Sequence, residues 1–315
     1  MKLQEYITAA STAIEKNKFE GQPNNLYDPL NYIIRLGGKR IRPALALIGY
    51  HTLKPDFETA IPLAKAIEYF HNFSLMHDDI MDKSPLRRGQ QSVHLKWNEA
   101  TAILSGDLML IECYKELTKM KDVLILEKFN QMAEEVCQGQ QLDMDFESDE
   151  KVTIGQYIEM IRLKTSVLLG KSLSMGALLA HADQILINAF EKFGELMGIG
   201  FQIMDDYLDT FGESAKTGKK IGQDILDKKR ALPFLLAENT LSRKEKKEFI
   251  ALFSSYDEEK LVNEVRALFI DHKIDQQTMD LAKKYFKEAE EILNTLTVDK
   301  TALNELVDFL RIRNY

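Results

Sequence analysis

Apolar residues recur every three or four positions along most of this sequence, which is the spacing of one helical face. Residues 124–142 and residues 153–180 both show it. Proline interrupts helices, and none of the seven prolines lies between residues 86 and 232 or after Pro233. Alternating strand patterns bounded by Asn-Gly or Asp-Gly turns are absent from the sequence. The pattern therefore predicts helices throughout and an all-α fold.

The helical pattern has breaks but no linker. Breaks are predicted at residues 24–25, 37–38, 54–56, 83–89, 148–150 and 212–222. Neither a low-complexity segment nor a repeat of fixed period divides the 315 residues. We therefore expect a single helical domain over residues 1–315.

Composition and charge exclude several classes of function. The chain has 41 basic and 49 acidic residues and a net charge of −8, so it lacks the basic surface that nonspecific nucleic-acid binding needs. Its two cysteines, Cys113 and Cys137, cannot form a disulfide framework or a zinc site by themselves. No secretory signal pattern and no apolar run near the length of a membrane span is present. We expect a cytoplasmic protein without a transmembrane segment.

A cluster of aspartates lies in an otherwise apolar predicted helix, FHNFSLMHDDIMD at residues 70–82. Asp78 and Asp82 are one turn apart and share a face, and Asp79 lies beside them. Like charges at this spacing repel, and unpaired buried carboxylates are costly, so a cationic group should face them. A solvated acidic helix end before residues 83–89 is the alternative interpretation, and this cluster alone does not decide between the two.

The same DDxxD pattern returns in FQIMDDYLDTFG at residues 201–212. Gln202, Asp205, Asp206 and Asp209 stand at i, i+3, i+4 and i+7, which makes a polar stripe on an apolar helix. Two such helices facing each other across a cavity would offer hard oxygen ligands singly or in pairs, as Mg²⁺ prefers. The chain has no His and Cys set of the kind that binds zinc.

Short basic clusters accompany both acidic ones. GGKRIRP at residues 37–43 combines two glycines with Lys39, Arg40 and Arg42, and an Arg-Arg-Gly at 87–89 follows the first DDxxD. GKKIGQD at 218–224 follows the second. Arginine binds phosphate oxygens bidentately and lysine acts as a mobile charge, so these clusters indicate phosphate binding. The GxxxxGK[ST] spacing of a P-loop is missing.

Taken together, these segments resemble the trans-isoprenyl diphosphate synthases, or polyprenyl synthetases, of the short-chain type. The matching segments are GGKRIRP at 37–43, His71, DDIMDKSPLRRG at 78–89, GQQLD at 139–143, Lys164-Thr165, FQIMDDYLD at 201–209 and GKKIGQDILDKKRALP at 218–233. The resemblance implies an isoprenoid-synthase-like helical bundle around a deep central cavity, usually a homodimer, that uses Mg²⁺. DDIMD is the uninterrupted form of the first motif, whereas many bacterial farnesyl synthases carry two extra residues within theirs.

The resemblance also implies a role for each matching residue. The Mg²⁺ ligands would be Asp78, Asp82 and Asp205, supported by Asp79, Asp206 and Asp209. The diphosphate of an allylic substrate would contact Arg87, Lys164, Thr165, Gln202, Lys229 and either Lys219 or Lys220. The diphosphate of isopentenyl diphosphate would contact Lys39, Arg42, His71 and Arg88. Groups near Lys164, Thr165 and Gln202 would stabilise an allylic cation, and residues 210–223 would form a lid.

The reaction implied by the resemblance is a head-to-tail condensation. A dimethylallyl, geranyl or farnesyl diphosphate ionises, the double bond of isopentenyl diphosphate attacks the cation, and the departing pyrophosphate accepts a proton. In the family, residues four and five before the first aspartate form the floor of the cavity. Phe73 with Ser74 resembles the pattern for geranylgeranyl diphosphate (C20), with Tyr69 and Phe70 as further floor candidates. Farnesyl diphosphate (C15) and longer polyprenyl diphosphates are the alternative products.

Three other interpretations compete with this one. A class I terpene cyclase would not need the second diphosphate site at Lys39, Arg42, His71 and Arg88. A silent subunit of a heteromeric prenyl synthase should have eroded acidic motifs, and neither motif is eroded here. A purely structural helical protein would leave six carboxylates on apolar helices unexplained.

Overall fold

The structure is a computed structural model that describes residues 1–149, 151–212, 222–254 and 257–311. The helices are α1 (Leu3–Glu15), α2 (Asn24–Arg35), α3 (Ile41–His51), α4 (Ile61–Met81), α5 (Val93–Lys96), α6 (Glu99–Met120), α7 (Val123–Phe146), α8 (Ile154–Ile161), α9 (Val167–Leu179), α10 (Gln184–Phe211), α11 (Gln223–Leu226), α12 (Leu232–Thr240), α13 (Arg243–Leu252), α14 (Glu258–Asp271), α15 (Ile274–Thr295) and α16 (Thr301–Arg311). A 3₁₀ turn spans Glu58–Ala60, a π-helical turn spans Arg162–Ser166, and β1 (Leu86–Arg87) pairs antiparallel with β2 (Gln90–Gln91). The predicted all-α class is confirmed.

Local sequence explains where several helices begin. The Asn98 side chain accepts a hydrogen bond of 2.8 Å from the backbone N–H of Thr101 and caps α6. Thr153 forms a capping box with Gln156 at the start of α8, and α13 begins with an equivalent box at residues 242–245. A proline stands in the first turn of α4 and of α12, where its missing N–H costs nothing.

Some helix ends differ from the prediction. The predicted break at residues 24–25 is wrong, because α2 begins at Asn24, directly after the extended Pro23. The end of α6 was not predicted, because Lys121 supplies the left-handed conformation there, with φ of 52°. Glycine or asparagine usually occupies such a position, so the sequence carried no signal for it.

The chain folds into two compact units, each built from segments that are distant in the sequence. Unit 1 comprises residues 1–132, 169–191 and 296–306. Unit 2 comprises the described residues among 133–168, 192–295 and 307–315. The expectation of a single domain over residues 1–315 stays a prediction.

In unit 1, α4 packs along α6 and against α3, and α1 and α2 pack on α3 and α6 respectively. α3 and α9 approach so closely that only glycine fits at their crossing. A β-carbon on Gly49 would lie 2.1 Å from the carbonyl oxygen of Leu173. One on Gly176 would lie 2.2 Å from the carbonyl oxygen of Ala46.

In unit 2, α12 packs on α8 and α15, while α14 packs on α11, α13 and α15. A cluster of buried apolar side chains fills this region, formed by Ile225, Ala237, Leu241, Phe249, Leu261, Val262, Val265, Phe269 and Ile274. Nearer the π-helical turn, Gly139 of α7 lies directly on the backbone of Lys164, since a β-carbon there would be 2.2 Å from the Lys164 nitrogen.

None of the described helices combines the length and the apolar character needed to cross a bilayer.

Candidate functional site

The turn before α3 in unit 1 gathers basic side chains. Gly37 and Gly38 have φ of 76° and 139°, and Arg40, which precedes α3, is left-handed with φ of 50°. The Arg88 guanidinium lies across Gly38, where a β-carbon would be 2.9 Å from Arg88 Cζ, and donates to the carbonyl oxygen of Gly37. Glycine at position 38 therefore leaves room for this contact.

Arg42 and His71 meet at the same place. Arg42 Nη1 donates to His71 Nε2 at 3.4 Å. Burial, and then the charges of Arg42 and Arg88, hold the pKa of His71 well below its usual range. Burial also lowers the pKa of the Arg42 guanidinium to about 10, which leaves it charged at neutral pH. Lys39 lies exposed on the same turn. We call Lys39, Arg42, His71 and Arg88 the unit 1 basic cluster.

The first acidic motif divides into a buried and a more exposed part. Asp79 is 1% exposed, and its carboxylate accepts hydrogen bonds from Arg87 Nε at 3.0 and 3.2 Å and from Arg87 Nη2. Arg87 is thus a cationic partner, at Asp79, of the kind that the sequence required. Asp78 is half-buried near the end of α4, and Asp82 is exposed directly after it. Solvation at the helix end applies to Asp82 and not to Asp79.

Phe73 and Ser74 lie one turn before these aspartates on α4. The half-buried Phe73 ring contacts the rings of Phe70 and His77, with centroids 5.7 and 4.7 Å away. Ser74 Oγ donates to the carbonyl oxygen of His71 at 2.9 Å, so its small side chain is folded back on its own helix. Of these two side chains, the Phe73 ring therefore occupies more space beside α4 than the Ser74 hydroxymethyl group does.

In unit 2 the π-helical turn presents Lys164 and Thr165. Lys164 Nζ donates to Asp143 Oδ2 at 2.6 Å, and Lys229 Nζ lies 3.8 Å from the same oxygen. Burial would raise the pKa of Asp143, but Lys229 and Lys164 outweigh it and leave that pKa below its usual value. π-helical turns of this kind occur frequently at functional sites.

The second acidic motif is held by hydrogen bonds from the protein. Asp206 Oδ2 accepts from the Tyr157 hydroxyl at 2.5 Å and from the backbone N–H of Leu232 at 3.0 Å, and Oδ1 accepts from Gln202 Nε2 at 3.3 Å. Burial nevertheless raises the pKa of Asp206. Asp209 Oδ2 accepts from the backbone N–H of Asp224 at 2.9 Å.

Asp224 adds a further carboxyl group to this region. Burial, and then the charges of Asp206 and Asp209, raise the pKa of Asp224 to about 8. Asp205 is half-buried on the same helix as Asp206 and Asp209.

Several of these unit 2 side chains line a cleft that is open to solvent. We call it the unit 2 cleft, and the residues that line it are Asp143, Tyr157, Met160, Ile161, Lys164, Thr165, Gln202, Asp206, Lys229, Arg230 and Ala231. The structure therefore brings together four of the predicted allylic-site residues, with Thr165 Oγ1 donating to Gln202 Oε1 at 3.5 Å. Lys219 and Lys220, and most of the predicted lid at 210–223, lie outside the described residues.

The carboxylates have the chemistry that a magnesium ion requires, namely hard oxygen donors offered singly or in pairs alongside substrate phosphates. Asp79 and Asp206 are buried and bound by protein donors, whereas Asp78, Asp82 and Asp205 have more contact with solvent. In the described ranges, no three His, Cys, Asp or Glu side chains form a ready-made metal cluster. The residues fit a metal that completes its coordination with water and phosphate.

Sequence reasoning missed three residues that hold the site together. Asp143 is the last residue of the GQQLD segment, which by itself indicates no role for it, and Tyr157 carries no signal in its amphipathic helix. Glu68 is the single acidic residue in the mostly apolar run between Leu63 and Phe70, and its charge there is a signal for a buried partner.

Three comparisons place the chain among known proteins. The polyprenyl synthetase family model matches residues 23–269. The geranylgeranyl diphosphate synthase of Methanosarcina mazei is 39% identical over 178 residues, which are 55% of this chain and of that one. The matches to three curated relatives that are 36–39% identical span only 55–58% of this chain and 55–58% of their own lengths.

Two further similarities extend over nearly the whole chain. The short chain isoprenyl diphosphate synthase of Methanothermobacter thermautotrophicus is 33% identical over 319 residues, covering 99% of this chain and 98% of that one. A crystal structure of a geranylgeranyl pyrophosphate synthase is similar with a TM-score of 0.91 and 38% identity, covering 98% of this chain and 97% of that one.

Proposed function

The chain belongs to the polyprenyl synthetase family, and from that premise we propose that it is a trans-prenyltransferase. It condenses isopentenyl diphosphate head-to-tail with an allylic diphosphate. The observation that carries the proposal is the unit 1 basic cluster, in which Arg42, His71 and Arg88 converge beside a glycine turn. A class I terpene cyclase has no use for a second diphosphate site of this kind.

The unit 1 basic cluster is assigned to the diphosphate of isopentenyl diphosphate. Arg42 and Arg88 supply guanidinium groups that suit phosphate oxygens, and Lys39 adds an exposed ammonium group. His71 supplies a neutral ring, because its pKa is held low by burial and by Arg42 and Arg88. Because Nε2 accepts from Arg42, the proton of the neutral ring is on Nδ1, which can donate to a phosphate oxygen.

The unit 2 cleft is assigned to the diphosphate of the allylic substrate, with Lys164, Gln202 and Lys229 as donors. Asp143 holds both lysines at one oxygen, which orients their ammonium groups before a substrate arrives. Thr165 and Gln202 would also face the developing allylic cation with their oxygens. The roles predicted for Arg87, Lys219 and Lys220 stay predictions.

Metal dependence is general in the family, and we assign Mg²⁺ to the two DDxxD motifs. Bound there, the ion would act as a Lewis acid toward the departing diphosphate. In unit 1, Asp78 and Asp82 would hold Mg²⁺, and in unit 2 Asp205 would do so. The hydrogen bonds that Asp79, Asp206 and Asp209 accept from the protein suit the supporting role predicted for them.

The reaction needs few protein groups beyond this. The carbon–oxygen bond of the allylic diphosphate breaks and its electron pair leaves on the pyrophosphate. The alkene of isopentenyl diphosphate then donates its electron pair to the allylic carbon, and pyrophosphate accepts the proton that is lost. The lysines stabilise the charge that develops on the leaving group.

The proposed product is geranylgeranyl diphosphate. Several relatives, including those of Methanosarcina mazei and Saccharolobus solfataricus, bear the name of that synthase. We assign the floor of the substrate cavity to Phe73 on α4. Farnesyl diphosphate or a longer polyprenyl diphosphate is the alternative product. A homodimer, a cytoplasmic location and a single polyprenyl synthetase domain over residues 1–315 complete the proposal.

The test is a product assay. Purified protein is given Mg²⁺, labelled isopentenyl diphosphate and, separately, dimethylallyl, geranyl and farnesyl diphosphate, and the dephosphorylated products are sized by mass spectrometry. We expect a C20 alcohol that disappears when EDTA replaces Mg²⁺. A cyclic hydrocarbon formed without isopentenyl diphosphate would favour a cyclase. No product with any primer would overturn the proposal and favour a silent subunit.

A further inference from the structure

A buried ion pair lies next to the unit 1 basic cluster, and no step of the proposed reaction uses it. Arg40 Nη1 donates to Glu68 Oε1, and the two side chains are 1% and 3% exposed. Opposite charges in such a core are costly to bury and are tolerated only when well paired. The sequence placed Arg40 in a basic segment and gave it no role.

The pair joins three helices. Arg40, at the start of α3, also donates from Nη2 to the carbonyl oxygen of Ile34 in α2 at 2.8 Å. Asn72, one turn after Glu68 on α4, donates from Nδ2 to Glu68 Oε1 at 2.9 Å and to its carbonyl oxygen at 2.8 Å. The ends of α2 and α3 are thereby fixed to one face of α4.

The same face of α4 carries His71, three residues after Glu68. Arg42 follows Arg40 by two residues and reaches His71 Nε2. Arg40 itself holds a left-handed conformation, with φ of 50° and ψ of 28°, which is unfavourable for a residue with a side chain. Its buried guanidinium thus fixes the turn from which Lys39 and Arg42 leave the backbone.

We propose that Arg40 and Glu68, aided by Asn72, are positioning residues that hold the unit 1 basic cluster in the arrangement that binds the diphosphate of isopentenyl diphosphate. The inference rests on the proposed function. Arg40 acts through the backbone to Arg42, and Glu68 acts through α4 to His71. If the pair were merely structural, a substitution in it would lower stability alone. If the pair positions the cluster, a substitution weakens the affinity for one substrate selectively.

The test compares Glu68→Gln with a matched variant, Glu191→Gln. Glu191 is an ion-paired glutamate of the same unit, bound by Lys128 and by Lys171 at 3.0 Å. Calorimetry gives the Kd for isopentenyl diphosphate, steady-state kinetics give both KM values, and a thermal melt gives Tm. We expect Glu68→Gln to raise the Kd for isopentenyl diphosphate roughly 10- to 100-fold, as small misplacements of binding groups do. The KM of Glu68→Gln for the allylic substrate should stay within about threefold of wild type. The Kd of Glu191→Gln for isopentenyl diphosphate should stay within the same range.

Arg40→Lys keeps the test decisive if Glu68→Gln does not fold. Lysine retains the charge but cannot bond Glu68 and Ile34 in the arginine geometry, so the Kd should again rise selectively. Unchanged affinity in the folded variants, whatever their Tm, would overturn the positioning role. If the variants lose affinity selectively while even wild type forms no product, the pair is upheld and the proposed function falls. No binding to wild type would overturn both.

Discussion

Arg42 Nη1 lies 3.4 Å from His71 Nε2, and because arginine can only donate, the imidazole must be the acceptor. Burial and the neighbouring guanidinium groups hold the pKa of His71 well below its usual range. The unit 1 basic cluster therefore carries its positive charge on Arg42, Arg88 and Lys39, and His71 contributes a neutral hydrogen-bonding ring.

Glutamine should replace His71 with little loss. The amide oxygen can accept from Arg42 without adding a charge, so we expect His71→Gln to keep the KM for isopentenyl diphosphate within about fivefold of wild type. His71→Ala removes the acceptor and should raise that KM roughly 10- to 150-fold, since a lost hydrogen bond to a charged group costs roughly 1.5–3 kcal/mol. Equal damage in both variants, measured by steady-state kinetics, would contradict a neutral acceptor.

The same imidazole should make stability depend on pH. The pKa of His71 is lower in the folded chain than in the unfolded one, so below about pH 6.5 the unfolded state binds more protons and stability falls. Wild type should lose up to about 1.4 kcal/mol per pH unit more than His71→Gln does over that range. Urea unfolding at about pH 8 and pH 5.5 measures the difference, and parallel losses would refute the shift.

Lys164 should matter for turnover more than for folding. It reaches Asp143 from the π-helical turn and lines the unit 2 cleft. Lys164→Met should lower kcat about 100-fold or more, because removing one donor to a developing anion costs about 3 kcal/mol or more. Lys128→Met, which removes an ion-paired lysine of unit 1, is the matched control and should stay near the wild-type kcat. A Lys164→Met enzyme with normal kcat would remove Lys164 from the allylic site.

Phe73 should set product length. Its ring contacts His77 and Phe70 one turn before the first aspartate. Phe73→Ala opens that space, so products longer than those of wild type should accumulate, as mass spectrometry of the dephosphorylated alcohols would reveal. Phe57→Ala, which empties a half-buried aromatic position beside Tyr6 and His51, serves as the control. An unchanged product distribution for Phe73→Ala would eliminate the floor assignment.

The sequence predicted helix content and local clusters well because both are local properties. DDxxD, GGKRIRP and the proline-free stretches are each readable within a turn or two. It did not predict that Tyr157 donates to Asp206 or that Arg40 pairs with Glu68. Those residues are 49 and 28 positions apart, and only the packing of helices brings them together. The helix end at Lys121 was not predicted for a different reason, since tertiary context imposes a left-handed conformation there that lysine does not favour.

The crossing of α3 and α9 gives a prediction for stability alone. A β-carbon on Gly176 would lie 2.2 Å from the carbonyl oxygen of Ala46. Its nearest neighbours are all backbone atoms of α3, which cannot move aside as a flexible side chain could. Gly176→Ala should therefore lower the free energy of unfolding by about 2–3 kcal/mol, at the upper end for overpacking.

Gly155→Ala is the opposite case. On the exposed first turn of α8, its β-carbon would meet only Thr153 Oγ1 at 3.9 Å. Alanine restricts the unfolded chain there and should raise stability by about 0.4–1 kcal/mol. Urea midpoints with unchanged m-values would report both effects. Two variants that shift the midpoint in the same direction would show that the glycine-to-alanine change itself decides the outcome, and not the distance between α3 and α9.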